Sequence, residues 1–399
     1  MKITRRKNIT KQILKHKDVP VVKLITGIRR AGKTTLLENI KTELITSGVS
    51  EENIIKRAFS LFKNEDPLST KQVFKELAEE LENKSKCYLL LDEIQILPDW
   101  QDLALDLIDA FDADIYATTS YEISDTNLSK LKGRHAIIHV HPLSFAEFLE
   151  FKGIDKIDPS TKDIVMDYLK FGGFPLITKL CNNDQIIEAM QISEGIYSSI
   201  VSLTLNPIHM ITSEESFGRV FKYISNNLGN SFSVNKISET LKSEKRSIAI
   251  ETIYAYMDWL EEVFLTKRCY RYDLKTHTEL KTQSKCYLAD TSFYHEDPQS
   301  SNIKARIENT VFLELSRRGF KTHVGKFGKD EISFVGTKRN EKIYVQILDD
   351  NTPNTNSGII LTKINDHYPK YIITLDKTKT GNLSGIPIVH LADFLLENV

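Results

Sequence analysis

Between residues 20 and 140, short apolar runs alternate with amphipathic stretches. Pro20–Ile25 (PVVKLI) is rich in β-branched residues and stops at Gly27, and the helix-forming TTLLENIKTEL follows. This strand–glycine loop–helix order is the one that binds phosphate. Ile54–Phe62 reads as a strand, and Gln72–Leu81 as an amphipathic helix with Val73, Phe74, Leu77, Ala78 and Leu81 on its apolar face. Cys87–Leu91 is a fully apolar strand ending at Asp92; Trp100–Phe111 is helical, and Asp114–Thr118 and His135–Val140 are strands. Strands that alternate with helices predict a parallel sheet covered on both faces, an α/β domain over residues 1–141.

From Pro142 the pattern turns helical and is broken sharply at Gly172, Gly173 and Pro175, which gives a helical segment over residues 142–212. Three further helical stretches (FGRVFKYISNNLG, VNKISETLKSE, IAIETIYAYMDWLEEV) precede the strands FLTKRCYRYD and SKCYLAD, so residues 213–295 read as a winged helix-turn-helix. Residues 296–399 follow an αβββαβ order: helix Ile303–Arg318, strands FKTHV, EISFV and KIYVQIL, a helix near LTKIND, and strand KYIITL. This is a small α/β domain of its own.

Composition changes this picture little. The chain has 399 residues, 41% hydrophobic, with 17 Gly and 11 Pro, which excludes wholesale disorder and fibrous architectures. No apolar run approaches the roughly 18 residues of a membrane span, and the N-terminus has no apolar core of a secretory signal, so a cytoplasmic protein without membrane contact is expected. Cys87, Cys181, Cys269 and Cys286 form no C-x-x-C pair; Cys87 and Cys286 open apolar runs and read as small buried side chains.

Gly27–Thr34 (GIRRAGKT) fits G-x-x-x-x-G-K-[ST]. Its glycines let successive N–H groups face phosphate oxygens, Lys33 reaches the β- and γ-phosphates, and Thr34 offers a hydroxyl to Mg²⁺. Asp92 ends an apolar strand, where a carboxylate helps hold Mg²⁺, and Glu93 can polarise the attacking water. An extra strand between the loop and Asp92 separates the chain from small nucleotide kinases, and Glu93 favours hydrolysis over transfer. The strand DIYAT delivers Thr118, Thr119 and Ser120 to the same edge, where a hydroxyl can sense the γ-phosphate. Arg134, in KLKGRH, is the candidate arginine finger for a neighbouring subunit of a homo-oligomer. The candidate nucleotide-binding set is Gly27, Arg30, Ala31, Gly32, Lys33, Thr34, Thr35 and Ser120; Lys33, Glu93 and Arg134 are the catalytic candidates, and Thr34 and Asp92 the metal ligands.

These residues resemble AAA+ superfamily ATPases of bacteria and archaea with a C-terminal domain of unknown function. TGIRRAGKTTLL, LLLDEIQILPDW, LKGRHAIIHVHPLSFAEFL, LKFGGFP, IENTVFLELSRRGF, GKFGKDEISFV and YVQI carry the resemblance over nearly the whole chain. It implies a P-loop AAA+ core, a helical lid, a winged helix and a C-terminal domain similar to restriction endonucleases, with ATP and Mg²⁺ as cofactors. The chain departs from the family at three places. Thr118-Thr119-Ser120 stands for Thr-Gly-Ser, Leu205–His209 for an Asp-Ile-x-x-Arg pattern, and Glu331-Ile332-Ser333-Phe334-Val335 for E-I-D-F-V. A nuclease of this type needs a carboxylate at Ser333, a second acidic group and a nearby lysine; Gln346 and Leu348 follow instead, and Glu308 keeps its place with few partners. A catalytically degenerate domain is expected.

Net charge is −1, from 53 Lys+Arg against 54 Asp+Glu, yet Lys2, Arg5, Arg6, Lys7, Lys11, Lys15 and Lys17 crowd the N-terminus, and Lys242, Lys245 and Arg246 precede the third helix of the winged unit. Both clusters are candidate contacts for duplex DNA; a winged helix equally serves a protein partner. An ATP-hydrolysing switch acting on a protein or DNA partner is the function expected. An ATP-loaded DNA-binding regulator without significant turnover and an ATP-dependent nuclease are the alternatives.

Overall fold

The computed structural model describes residues 6–59, 69–82, 84, 86–154, 162–244, 247–294, 302–348 and 356–397. The chain forms two compact units, one holding the residues up to His141 with Glu262–Phe264, the other Pro142–Glu261 with the residues from Leu265 onward. Among the described residues, no helix is long and apolar enough to cross a membrane.

In the first unit the order is α1 (Lys7–Leu14), β1 (Val22–Thr26), α2 (Lys33–Thr46), β2 (Ile54–Ala58), α3 (Thr70–Leu81), β3 (Cys87–Asp92), α4 (Trp100–Phe111), β4 (Ala113–Thr119), α5 (Asp125–Lys130) and β5 (His135–His139). The five strands form one parallel sheet, ordered β2-β3-β4-β1-β5. The three central strands are buried along their whole length, which is why their sequences are continuous rather than alternating apolar runs. α3 packs Val73, Leu77 and Leu81, an i, i+4, i+8 stripe, into the core shared by Leu89, Trp100 and Leu107. Inserting β4 between β1 and β3 sets the C-terminal ends of three strands side by side.

A buried ion pair lies inside this sheet. Lys23, fully buried in β1, pairs with Asp114 of β4 and donates to the Val19 carbonyl at 2.6 Å. Asp114 also accepts from the Asp18 N–H at 3.1 Å and the Tyr116 hydroxyl at 2.9 Å, and Tyr88 donates to Asp18 at 2.8 Å.

In the second unit come α6 (Phe145–Lys152), α7 (Lys162–Phe171), α8 (Pro175–Asn182), α9 (Ile186–Ile200), α10 (Asn206–His209), α11 (Glu214–Asn226), α12 (Val234–Ser243), α13 (Ile250–Glu262), β6 (Thr266–Asp273), β7 (Thr278–Leu288), α14 (Ile303–Arg317), β8 (Lys321–Phe327), β9 (Asp330–Lys338), β10 (Glu341–Ile347), α15 (Asn356–Thr362), β11 (Lys370–Thr374), β12 (Gly381–Leu383), β13 (Ile386–His390) and α16 (Leu391–Leu395). Local chemistry sets the helix starts: Ser144 and Glu147 form a capping box for α6, and the Ser213 and Ser233 hydroxyls cap α11 and α12. The GGFP turn is a packing device. Gly173 lies so close to the Leu143 carbonyl that a Cβ would sit 2.3 Å from its oxygen, and its N–H donates to buried Asp290 at 2.7 Å. Arg306 of α14 donates to the Leu169 and Lys170 carbonyls at 3.0 and 3.2 Å, holding the end of α7.

Several expectations change. The basic N-terminal arm is in part helix α1, which buries Thr10 and Ile13; Arg6 is also buried and is not available to DNA. Lys2, Arg5, Lys245 and Arg246 lie outside the described residues, as does the end of the expected strand Ile54–Phe62 beyond residue 59. The hairpin β6–β7, expected as a wing, is the edge of an eight-stranded sheet ordered β12-β13-β11-β10-β9-β8-β6-β7, joined through parallel pairs Arg271–Asp273 with Val324–Lys326. Beyond β11 the chain adds β12, β13 and α16, which the periodicity did not announce. His209, where the family pattern has arginine, stacks on Trp259 with ring centroids 4.4 Å apart.

Candidate functional site

The glycine loop connects β1 to α2. Gly27 meets the end of the chain segment after β5: a Cβ there would sit 2.2 Å from the Val140 carbonyl oxygen, so no other residue fits. Arg30, at φ 71°, and Gly32, at φ 97°, turn the backbone through the left-handed region and launch α2 at Lys33. The first N–H groups of a helix have no partner inside it, so the start of α2 brings such donors to the end of the loop. Buried Arg6 donates to the Ala31 carbonyl at 3.2 Å and the His141 carbonyl at 3.0 Å, bracing the loop from outside.

Lys33 folds back into the hollow and donates to the carbonyls of Gly27 (2.8 Å) and Ile28 (3.1 Å) and to the Ser120 hydroxyl (3.1 Å). Burial pushes its ammonium down to about 8, against the pull of Glu93 and Asp92. Ser120 donates to Glu93 Oε1 at 2.6 Å, while Gln95 donates to Glu93 Oε2 at 2.6 Å and Arg29 approaches the same oxygen at 3.9 Å. Glu93 itself sits at φ 57°, a conformation uncommon for a glutamate.

Beside this chain, Thr34 donates to Asp92 Oδ2 at 2.8 Å and Thr118 donates to Asp92 Oδ1 at 2.5 Å. Thr118 also accepts the Glu93 N–H at 2.9 Å, so one hydroxyl fixes both members of the Asp-Glu pair. Strand order explains why: β4 separates β1 from β3, and Ile25 is in register with Thr118.

Of the candidates named from sequence, Gly27, Ala31, Gly32, Lys33, Thr34, Asp92, Glu93 and Ser120 therefore surround one hollow. Arg30 and Thr35 border it with exposed side chains. Arg134 is elsewhere. It precedes β5 at the opposite end of the sheet, where its guanidinium takes both Asp109 oxygens at 2.7 and 3.1 Å. Arg6, Gln95 and the double role of Thr118 were missed; Gln95 lies two residues past Glu93, but only the turn after β3 shows that it points back.

Residues 20–149 match the family model of an AAA domain, and residues 162–299 match a domain of unknown function (DUF8612). An uncharacterized protein of Haemophilus influenzae is 32% identical over 398 residues, covering 98% of each chain. An uncharacterized protein of Methanocaldococcus jannaschii is 28% identical over 338 residues, 80% of this chain and 72% of that one. Among solved structures, the Walker-type ATPase of Pyrococcus abyssi shares the fold at a TM-score of 0.53 and 14% identity, over 73% of this chain and 95% of that one. The α/β fold with its parallel five-stranded core, the loop at the end of β1 and the near full-length relative lead to one assignment: this chain carries a P-loop AAA domain and belongs to the same family as the H. influenzae protein.

Proposed function

We propose that the chain binds ATP with Mg²⁺ in this hollow and hydrolyses it, working as a nucleotide-driven switch. The observation that carries the reading is the unbroken path Lys33–Ser120–Glu93 with Thr34–Asp92 alongside. A hydroxyl and a carboxylate within 2.8 Å of each other are the hard oxygen donors that Mg²⁺ takes, so Thr34 and Asp92 are the residues that would hold it. Bound there, the ion neutralises phosphate charge. Lys33 exchanges its two carbonyl partners for phosphate oxygens, Ser120 is freed toward the γ-phosphate, and Glu93 orients the attacking water. Arg134 lies too far from its own loop to serve it, so it acts only across a contact with another copy, exchanging Asp109 for phosphate.

The primary test is phosphate release and ATP binding by the purified protein. Wild type is expected to turn over ATP, and Lys33→Ala to bind it roughly 10–100-fold more weakly, the loss of a charged hydrogen-bonding partner. Wild-type protein that binds no ATP rejects the proposal. A second reading, an ATP-loaded DNA-binding regulator, draws on one observation: Lys7, Lys11 and Lys15 are exposed and four residues apart, a basic stripe along α1. It predicts ATP binding without turnover and salt-sensitive duplex binding that Lys7→Glu/Lys11→Glu removes.

Lys33 also gives a pH signature. Its ammonium, near 8 without nucleotide, rises beside phosphate, so at pH 8 about half of the free protein must take up a proton on binding ATP. Affinity is full below the free value and falls as pH rises through it. Calorimetry at pH 8 in two buffers of different ionisation enthalpy reads the uptake directly; zero uptake contradicts the account.

A further inference from the structure

The resemblance to restriction endonucleases implies a divalent metal in the C-terminal sheet, and the residues there can be tested for it. A polar cavity of about 370 Å³ opens between the sheet, the start of α14 and the turn at Gly229. Glu308, Glu331, Ser333 and Gln346 all line it, so the positions that would carry a metal do meet in space. The oxygens of Ser333 and Gln346, however, are engaged by the backbone. Backbone pairing of β9 with β10 runs as far as Phe334 with Val345. Past that point the side chains continue the ladder: Gln346 Oε1 accepts the Ser333 N–H at 3.0 Å, and Ser333 Oγ accepts the Ile347 N–H at 3.1 Å. Among the described residues, no group of three or more His, Cys, Asp or Glu side chains is placed to hold a metal.

A cation is present nonetheless, and it belongs to the chain. Lys285 of β7 extends its ammonium between the two acids, 3.2 Å from Glu308 Oε2 and 3.0 Å from Glu331 Oε1, with its side chain 7% exposed. Tyr287, two residues on and on the same face of β7, donates to Glu308 Oε2 at 3.2 Å. We infer that the Lys285 ammonium is a built-in replacement for the divalent metal: it neutralises the carboxylates a metal would require and closes the site to metal-dependent cleavage of a phosphodiester. A divalent ion entering beside Lys285 would meet a fixed positive charge, and displacing the lysine would leave a buried ammonium unpaired. The two acids hold the ammonium charged in spite of its burial. The inference is independent of the ATPase reading.

The test is Mn²⁺ binding without nucleotide, followed by electron paramagnetic resonance, on wild type, Glu308→Gln, Lys285→Ala and Lys285→Ala/Glu308→Gln. Wild type and Glu308→Gln are expected to match. Lys285→Ala is expected to gain one Mn²⁺ with a Kd at least about tenfold lower, and the double variant to lose it. Wild-type binding that Glu308→Gln removes overturns the inference. So does a folded Lys285→Ala that gains no Mn²⁺, or Mn²⁺-dependent nicking of supercoiled DNA by wild type that Glu308→Gln abolishes. If Lys285→Ala does not fold, Lys285→Met keeps the buried stem, and the wild-type comparison decides by itself.

Discussion

Replacing Glu93 by glutamine is expected to lower ATP turnover by about 10²–10⁴-fold, the range for removing one positioned general base, while leaving ATP affinity within a few-fold of wild type. The asymmetry follows from the contacts. Glu93 touches Ser120, Gln95 and Arg29, and its hydrogen-bonded link to Lys33 runs through Ser120. A glutamine retains one oxygen for Ser120 and the left-handed backbone that Thr118 holds, so the hollow keeps its shape. What it cannot do is attract a proton from water. Single-turnover phosphate release measured beside equilibrium ATP binding separates the two effects. Equal turnover by wild type and variant would remove Glu93 from the chemistry, and a parallel loss of binding would make it structural.

The second large effect concerns stability. Lys23→Met should destabilise the first unit by about 3–5 kcal/mol, because it strands Asp114 as an uncompensated charge in the middle of the sheet. Burial lowers the Lys23 ammonium and Asp114 opposes that, so each charge depends on the other. Asp114 keeps the Asp18 N–H and the Tyr116 hydroxyl after the change, but neither carries a full positive charge. Urea unfolding followed at Trp100 in a Trp259→Phe background reports on this unit, since these are the chain's two tryptophans. The double variant Lys23→Met/Asp114→Asn should recover at least half of the loss. Recovery of none would mean that Lys23 acts through its packing rather than its charge.

The nucleotide hollow was legible because its parts are local. Gly27 to Thr34 is one contiguous stretch, and Asp92 and Glu93 end one apolar run, so spacing alone announces both. The strand that carries Thr118 could be read as well, but not that it lies between β1 and β3, where Thr118 holds Asp92 and the Glu93 N–H together. That depends on strand order, which no local pattern encodes. Arg6 shows the same limit from the other side. In sequence it is one of seven basic residues near the N-terminus and looks like a phosphate contact; in the fold it is buried under the loop, on backbone carbonyls. The C-terminal sheet was the least legible part. The Ser333 departure pointed to an incomplete metal site, whereas the lysine that fills it lies 48 positions earlier, on a hairpin that reads as a wing.

That shared sheet also bears on how the chain is made. The strands of the first unit all lie between residues 22 and 139, so its sheet can close early in synthesis. The hairpin β6–β7 is finished at Leu288, but its neighbour β8 ends only at Phe327 and the acid Glu331 comes later still. At translation rates of about 5–20 residues per second, the nascent hairpin waits seconds with an open edge and an unpaired Lys285. An exposed strand edge is a template for pairing with other chains, so this interval is when a chaperone holding the emerging chain matters most.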